Sequence, residues 1–409
     1  MKKKIGLLSN YFCAWSGGTD LIRYLLSNLI AGNTNNKYEL HLIIPTKNFA
    51  SNIKNLLYPV IFCLKNLIKN KKIEFKKWPL RKGAKFLEEY FSDIRFKDRL
   101  SFIHADYINQ NKEIHKKEIN IILPCVNVEN NQFPVIGYLF DFQHEYLPEF
   151  FSKEEIALRR RTMREILFKC NFVFTNSKKT KNDAKKFYGN FPAKIYTIPY
   201  SPCIDTDLIN FEEDIFKKFD LNKEYFIICN QFWRHKNHET AIRAFAQYVK
   251  SNGRADLILT GNTFDNRFPE HFKNLKKMIK ELKLDGRVRI LGLVEKKTQI
   301  ALVKNSRALI QPTLFEGGPG GGSCRDAISV DTEIFASDIE INQEINCGTV
   351  KYFEVLSPKS LSNLMIKSDG VTNKKKDINI LINEGEKRKI ECGKFLLNII
   401  DEALNIQKL

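Results

Sequence analysis

The chain has 409 residues, 43% of them hydrophobic and 28% charged; it is too long for one compact core and too apolar for a disordered chain. Lysine and arginine number 66 against 47 acids, leaving +19, and that excess implies an anionic partner: nucleic acid, an acidic bilayer surface or a phosphorylated substrate. No apolar run approaches the ~20 residues of a membrane span; the longest, Leu56 to Leu64, is interrupted by Pro59.

Short apolar runs alternate with amphipathic stretches, the pattern of parallel α/β units. Lys2-Lys3-Lys4 before Ile5-Gly-Leu-Leu8 superficially looks like a leader, but Ser9 and Asn10 end the apolar run too early, so a first strand is expected at Ile5–Leu8. Gly17-Gly18 follows it and precedes an expected helix, Thr19–Leu29; glycines at a helix N-terminus let backbone N–H groups approach an anion. A plain tight turn is the commoner use of such a pair. Further strands are expected at Glu39–Ile44, Ile73–Lys76, Ile119–Leu123, Val135–Tyr138, Phe172–Thr175 and Ile195–Ile198.

Between them, Lys65–Lys85 holds nine basic residues and one acid, with Leu67, Ile68, Phe75 and Trp78 interleaved. It reads as a patch for an anionic bilayer, a single-strand nucleic-acid surface or a solvated charged face. Asp141-Phe-Gln-His-Glu-Tyr-Leu-Pro follows the Val135–Tyr138 strand and offers His144 as a neutral donor or acceptor near pH 7.

Pro199-Tyr-Ser-Pro-Cys-Ile-Asp205 breaks the periodicity and marks a boundary. A second series follows at Tyr225–Cys229, Asp256–Leu259, Val288–Leu291, Ala308–Ile310 and Glu333–Ala336, with helices at Thr240–Lys250 and Asn274–Lys283 and a last amphipathic helix at Lys387–Leu404. The expected division is 1–203, 204–386 and a terminal helix within 387–409. Asn230-Gln-Phe-Trp-Arg-His-Lys236 closes the first strand of the second series, where open α/β sheets bind ligands; Lys236 and Arg234 are candidate phosphate cations. His235 and His238 lack a carboxylate or cysteine at metal-ligand spacing, so no metal site is expected. Gly261 ends the next strand. Nine cysteines stand singly with no CxxC pair, which suits reduced, buried thiols and a cytoplasmic chain.

The densest chemistry lies in Pro312-Thr-Leu-Phe-Glu316-Gly-Gly-Pro-Gly320-Gly321-Gly322-Ser323-Cys-Arg-Asp326. An acid opens a glycine-crowded turn that leads into a helix carrying a second acid. The turn and helix N-terminus form an electropositive seat for a diphosphate, and the two carboxylates can accept hydrogen bonds from sugar hydroxyls. Together these features describe a nucleotide-sugar.

This segment resembles the E-x7-E signature of the family-4 retaining glycosyltransferases of the GT-B fold. Two extra residues lengthen the turn, and Asp326 stands where the family has glutamate. Leu257-Ile-Leu-Thr-Gly261-Asn and Leu284-Asp-Gly-Arg-Val-Arg-Ile-Leu-Gly-Leu-Val294 match the family in order and spacing, and Gln231 occupies a place where it commonly has arginine. The resemblance implies an α/β GT-B architecture: two Rossmann-like domains with parallel sheets facing across a cleft, and a last helix that crosses back to the first.

For the residues it implies roles. Glu316 would hold the donor sugar with His144 facing it, Asp326 the ribose, and Lys236 with Arg234 the diphosphate, helped by the N–H groups of Gly320, Gly321, Gly322 and Ser323. Gly17-Gly18 would edge the cleft and Gly261 the nucleotide. The expected activity is metal-independent, retaining transfer of a hexose, mannose-like or related, from a nucleoside-diphosphate sugar to a glycan or lipid-linked acceptor in surface polysaccharide synthesis. No cofactor and no nucleic-acid partner are expected. The alternatives left open are a sugar-nucleotide epimerase of the same fold and a nucleic-acid-binding protein. The cytoplasm, with a peripheral seat on the inner membrane face through Lys65–Lys85, is the expected location.

Overall fold

The computed structural model describes residues 2–9, 12, 16–44, 87–88, 91, 99–105, 110–128, 133–203, 208, 214–221, 224–265, 267–371 and 375–406. The basic Lys65–Lys85 stretch and the strand expected at Ile73–Lys76 lie outside them.

Two parallel sheets carry the fold. The first joins β1 (Lys3–Leu8), β2 (Tyr38–Ile44), β3 (Leu100–His104), β4 (Ile121–Cys125), β5 (Val135–Leu139), β6 (Phe172–Thr175) and β7 (Lys194–Thr197) in the order 3-2-1-4-5-6-7. The second joins β8 (Tyr225–Cys229), β9 (Asp256–Thr260), β10 (Val288–Gly292), β11 (Ala308–Gln311), β12 (Glu333–Ser337) and β13 (Val350–Phe353) in the order 10-9-8-11-12-13. The GT-B expectation of two parallel α/β sheets is met. Edge strands β3 and β13 add to the expected set.

Strands covered by helices on both faces become near-continuous apolar runs, and alternate residues fill separate cores. In the first domain Ile5, Leu7, Leu40, Leu42, Ile121 and Leu123 point to one face, and Leu8, Ile43, Ile122 and Val173 to the other. In the second, Phe226, Ile228, Leu257 and Leu259 face one side, and Tyr225, Ile227 and Ile258 the opposite side. A one-residue slip in any of these strands would exchange its two sets, so the sequence fixes the register strongly.

The longer helices are α1 (Ser16–Gly32), α2 (Gln110–Lys116), α3 (Lys153–Lys169), α4 (Lys178–Tyr188), α5 (His238–Lys250), α6 (His271–Glu281), α7 (Lys296–Asn305), α8 (Gly321–Ser329), α9 (Pro358–Ser368) and α10 (Ile378–Ile406). Helix α10 begins nine residues before the expected Lys387. Its Leu381 belongs to the second domain's core, while Cys392, Leu396, Ile400 and Ala403 complete the core of the first against α1. Close approach of α1 and α10 rests on Gly32 and Gly393: a Cβ on Gly393 would lie 1.8 Å from the Asn28 carbonyl oxygen. The connector at 199–203 is held from both sides. The Tyr24 hydroxyl donates to the Pro199 carbonyl (2.8 Å), and Arg388 Nε donates to that of Pro202 (2.8 Å). Among the described residues no helix is long and apolar enough to cross a membrane.

His238, the first residue of α5, stacks on Phe232 with centroids 4.4 Å apart and is fully buried, and among the described residues neither ring nitrogen has a hydrogen-bond partner. Burial, then the neighbouring His271 and Lys236, push its pKa down to about 3. The unfolded chain therefore binds a proton below pH ~6.5 that the folded chain refuses, so the stability present above that pH is lost as the pH falls toward 3. At pH 5 this amounts to about 2 kcal/mol. His238→Phe, which keeps the stack, should flatten the fall in urea midpoint between pH 7 and pH 5; an unchanged slope would show that other groups set it.

Candidate active site

In both sheets the strand order reverses between two adjacent strands, β1/β4 and β8/β11, and ligands of open α/β sheets bind beyond the C-terminal ends there. The loops after β8 and β11 carry Lys236 and Glu316. These loops are stitched together: the Leu314 N–H donates to the His235 carbonyl (2.8 Å), and Asn237 Nδ2 donates to that of Pro312 (3.0 Å). Lys236 Nζ then meets Glu316 Oε1 at 2.5 Å, with side chains only 14% and 8% exposed. Gln311 Nε2 donates to the same carboxylate oxygen (3.0 Å) and to the Gly320 carbonyl (2.8 Å), and is itself oriented by Asn230 Nδ2, which donates to its Oε1 at 2.6 Å.

Gly320 and Gly321, with φ of +59° and +65°, turn the chain into α8. A Cβ on Gly321 would sit 3.3 Å from Glu316 Oε2 and one on Gly320 2.4 Å from Cys324 Cβ, so the missing side chains make the space. The Gly320 N–H is fixed by Asn342 Oδ1 (3.1 Å), a fully buried side chain from the loop after β12. The carboxylate thus lies against the positive end of α8, whose first turn contains Gly322 and Ser323.

Asp326, in the second turn of α8, accepts from Lys296 Nζ (2.6 Å) and Gln299 Nε2 (3.0 Å) of α7. Burial, against the nearby Lys296, and to a lesser degree Asp20 of α1, hold its carboxyl above the usual range. Gly17 and Gly18 lie inside the first turn of α1 rather than before it. Gly261 directly follows β9 at φ +138°, where a Cβ would strike the Asn230 carbonyl oxygen at 2.0 Å.

Two further candidates are held by aromatic neighbours. The Arg234 guanidinium rests over Phe268 (4.9 Å) and Phe150 (5.8 Å). His144 is fully buried beside Glu145 (3.4 Å) and between Phe142 and Phe151, with neither ring nitrogen hydrogen-bonded among the described residues; burial lowers its pKa, leaving it neutral near pH 7.

Sequence reading passed over Gln311, Lys296 and Arg325. Arg325 lies over the Tyr24 ring (4.8 Å) and lines a small recess with Gly318, Gly321 and Asn176. Its position beside Asp326 was the available signal. The domains touch at this level. A Cβ on Gly317 would lie 2.9 Å from the Phe140 carbonyl oxygen and one on Gly318 3.0 Å from Asn176 Cβ. Beside them the Glu344 carboxylate accepts the backbone N–H groups of Lys178 and Lys179, both at 2.7 Å, at the start of α4.

Residues 210–388 match the family model described as glycosyl transferases group 1. No curated protein matches the chain. Among solved structures, sucrose-phosphate synthase from Thermosynechococcus elongatus is similar over 100% of this chain and 98% of its own, with TM-score 0.60 and 15% identity. Anabaena HepE in complex with UDP and glucose is similar over 98% and 100%, with TM-score 0.59 and 15% identity. A Rickettsia africae glycosyltransferase is similar over 98% and 99%, with TM-score 0.59 and 13% identity. The chain has GT-B architecture, and its second half, residues 210–388, carries a glycosyl transferases group 1 domain.

Proposed function

We propose that the enzyme transfers a hexose from a nucleoside-diphosphate sugar to a glycan or lipid-linked acceptor, with retention at the anomeric carbon and no required metal. The carrying observation is the buried Lys236–Glu316 pair set against the N-terminus of α8. With donor present, Lys236 moves its charge to the diphosphate and Glu316 accepts hydroxyl hydrogens of the sugar. The N–H groups of Gly322 and Ser323 share the leaving charge, which is the service a divalent ion would otherwise give. Asp326, with Lys296, takes the ribose hydroxyls.

The bond from the anomeric carbon to the diphosphate oxygen breaks as the acceptor oxygen bonds from the same face. The acceptor proton passes to the departing diphosphate, so no separate base is needed. Closure of the two domains keeps water from the donor. Assembly of a surface polysaccharide is the setting this chemistry and the +19 charge suit.

Calorimetric titration tests the clamp. Lys236→Met keeps the aliphatic stem and removes the charge, and should weaken UDP, GDP or ADP, whichever binds the wild type, by about ten- to a hundred-fold, the worth of a charged hydrogen bond. An unaltered isotherm would take Lys236 out of the diphosphate site. Donor consumed to an epimer without any acceptor would replace transfer by epimerisation.

A further inference from the structure

Helix α3 and the turn at Trp233 enclose a cavity of about 580 Å³ that the donor chemistry leaves unused. Its floor is apolar, made by Tyr138, Leu139, Phe140, Met163 and Ile166, and Leu158 stands 64% exposed at its edge. That volume and lining suit an apolar body of drug-like size. Phe140 and Asp141, which line the cavity, also flank Gly317, the neighbour of Glu316. On the opposite wall, the Trp233 carbonyl accepts the Lys236 N–H (2.8 Å).

Positive charge enters from both domains. The Arg159 guanidinium of α3 lies over the Phe151 ring at 4.7 Å; that of Arg267, from the loop after β9, covers the same ring at 5.4 Å and Trp233 at 5.5 Å. The neighbouring acids are already committed to backbone groups. Asp141 Oδ1 accepts the Gln143 N–H (2.9 Å) and stands 3.5 Å from Arg159. Asp265 accepts the N–H groups of Arg234 (3.2 Å) and Arg267 (3.0 Å) and stands 3.6 Å from the Arg267 guanidinium. Glu155 accepts the Ser152 N–H and closes that helix cap. Among the described residues neither guanidinium has a hydrogen-bond acceptor, although each carries five N–H donors in a fork suited to phosphate or carboxylate.

We propose that this cavity seats the acceptor, and that the acceptor joins an apolar body to an anionic group. The body lies on the Tyr138–Ile166 floor, and the anion bridges Arg159 and Arg267. This rests on the donor reading above, since it is Glu316 and Lys236 next door that make the cavity an acceptor site.

The test is calorimetry on the full chain with octyl phosphate, phenyl phosphate, octyl glucoside and inorganic phosphate, each below its micelle threshold. Octyl or phenyl phosphate should bind at least about tenfold more tightly than octyl glucoside and inorganic phosphate; which of the two wins separates a chain-like body from a ring. The Arg159→Gln/Arg267→Gln double variant should erase the preference over octyl glucoside, and Thr162→Phe, projecting from α3 into the cavity, should abolish both. Nucleoside-diphosphate affinity should stay at the wild-type value in these variants, which also shows that they are folded. Equal binding of the charged and neutral octyl compounds, no binding of any of them, or full binding in Thr162→Phe would overturn the assignment. Loss of nucleotide binding in the wild type would instead sink the donor reading.

Discussion

Glu316→Gln should lower kcat by about a hundred- to a thousand-fold, while nucleoside-diphosphate affinity stays within a few-fold and the thermal midpoint within several degrees. The amide oxygen still accepts from Lys236 and Gln311, so the architecture of the loop survives. What is lost is the negative charge beside the anomeric centre and an acceptor for two sugar hydroxyls at once. Glu316→Asp should fall between, because retracting the carboxylate by about one bond length misplaces it by an amount that costs about a hundred-fold. Turnover of a donor sugar under saturating acceptor measures both, and wild-type kcat in the Gln variant would remove Glu316 from the chemistry.

The second large effect belongs to stability. Gly393→Ala should destabilise the chain by about 3 kcal/mol or more, since overpacking against immovable atoms lies at the upper end of such effects. Its new methyl would meet the Asn28 carbonyl oxygen at 1.8 Å and the Gly32 nitrogen at 2.7 Å, both backbone, with no rotamer to escape through. The damage falls on the contact by which α10 fills the first domain's core through Leu396 and Ile400. Gly348→Ala, with open space around it, should shift the urea midpoint by no more than about 0.5 kcal/mol in energy. Equal midpoints for the two variants would mean that α1 and α10 do not need their close crossing.

Both domains were legible in the chain because parallel strands buried on two faces leave apolar runs that glycine and proline punctuate. The two strands that escaped notice, β3 and β13, are sheet edges: Leu100-Ser-Phe-Ile-His104 and Val350-Lys-Tyr-Phe353 mix exposed polar positions with buried ones. The early part of α10 contains Gly385, a residue that disfavours helix interiors. In the fold it gives room to Cys203, whose sulfur would lie 2.9 Å from a Cβ there.

Within the site, Glu316 and Lys236 were legible as types at strand ends. Their pairing across 80 positions was not, nor was the partnership of Asp326 with Lys296. Gln311 stands one residue past the expected strand Ala308–Ile310, and only the fold reveals that its amide orients the carboxylate. Arg234 was read for its charge alone, and the aromatic rings that hold it come from distant segments.

Glu344 gives the molecule a further property. Helix α4 in one half obtains acceptors for its first two amides from a residue rooted in the other half. Prising the halves apart removes the acceptor of both amides together. Whatever spreads the jaws exchanges two charge-assisted hydrogen bonds for water, so opening and the freeing of that helix end are coupled.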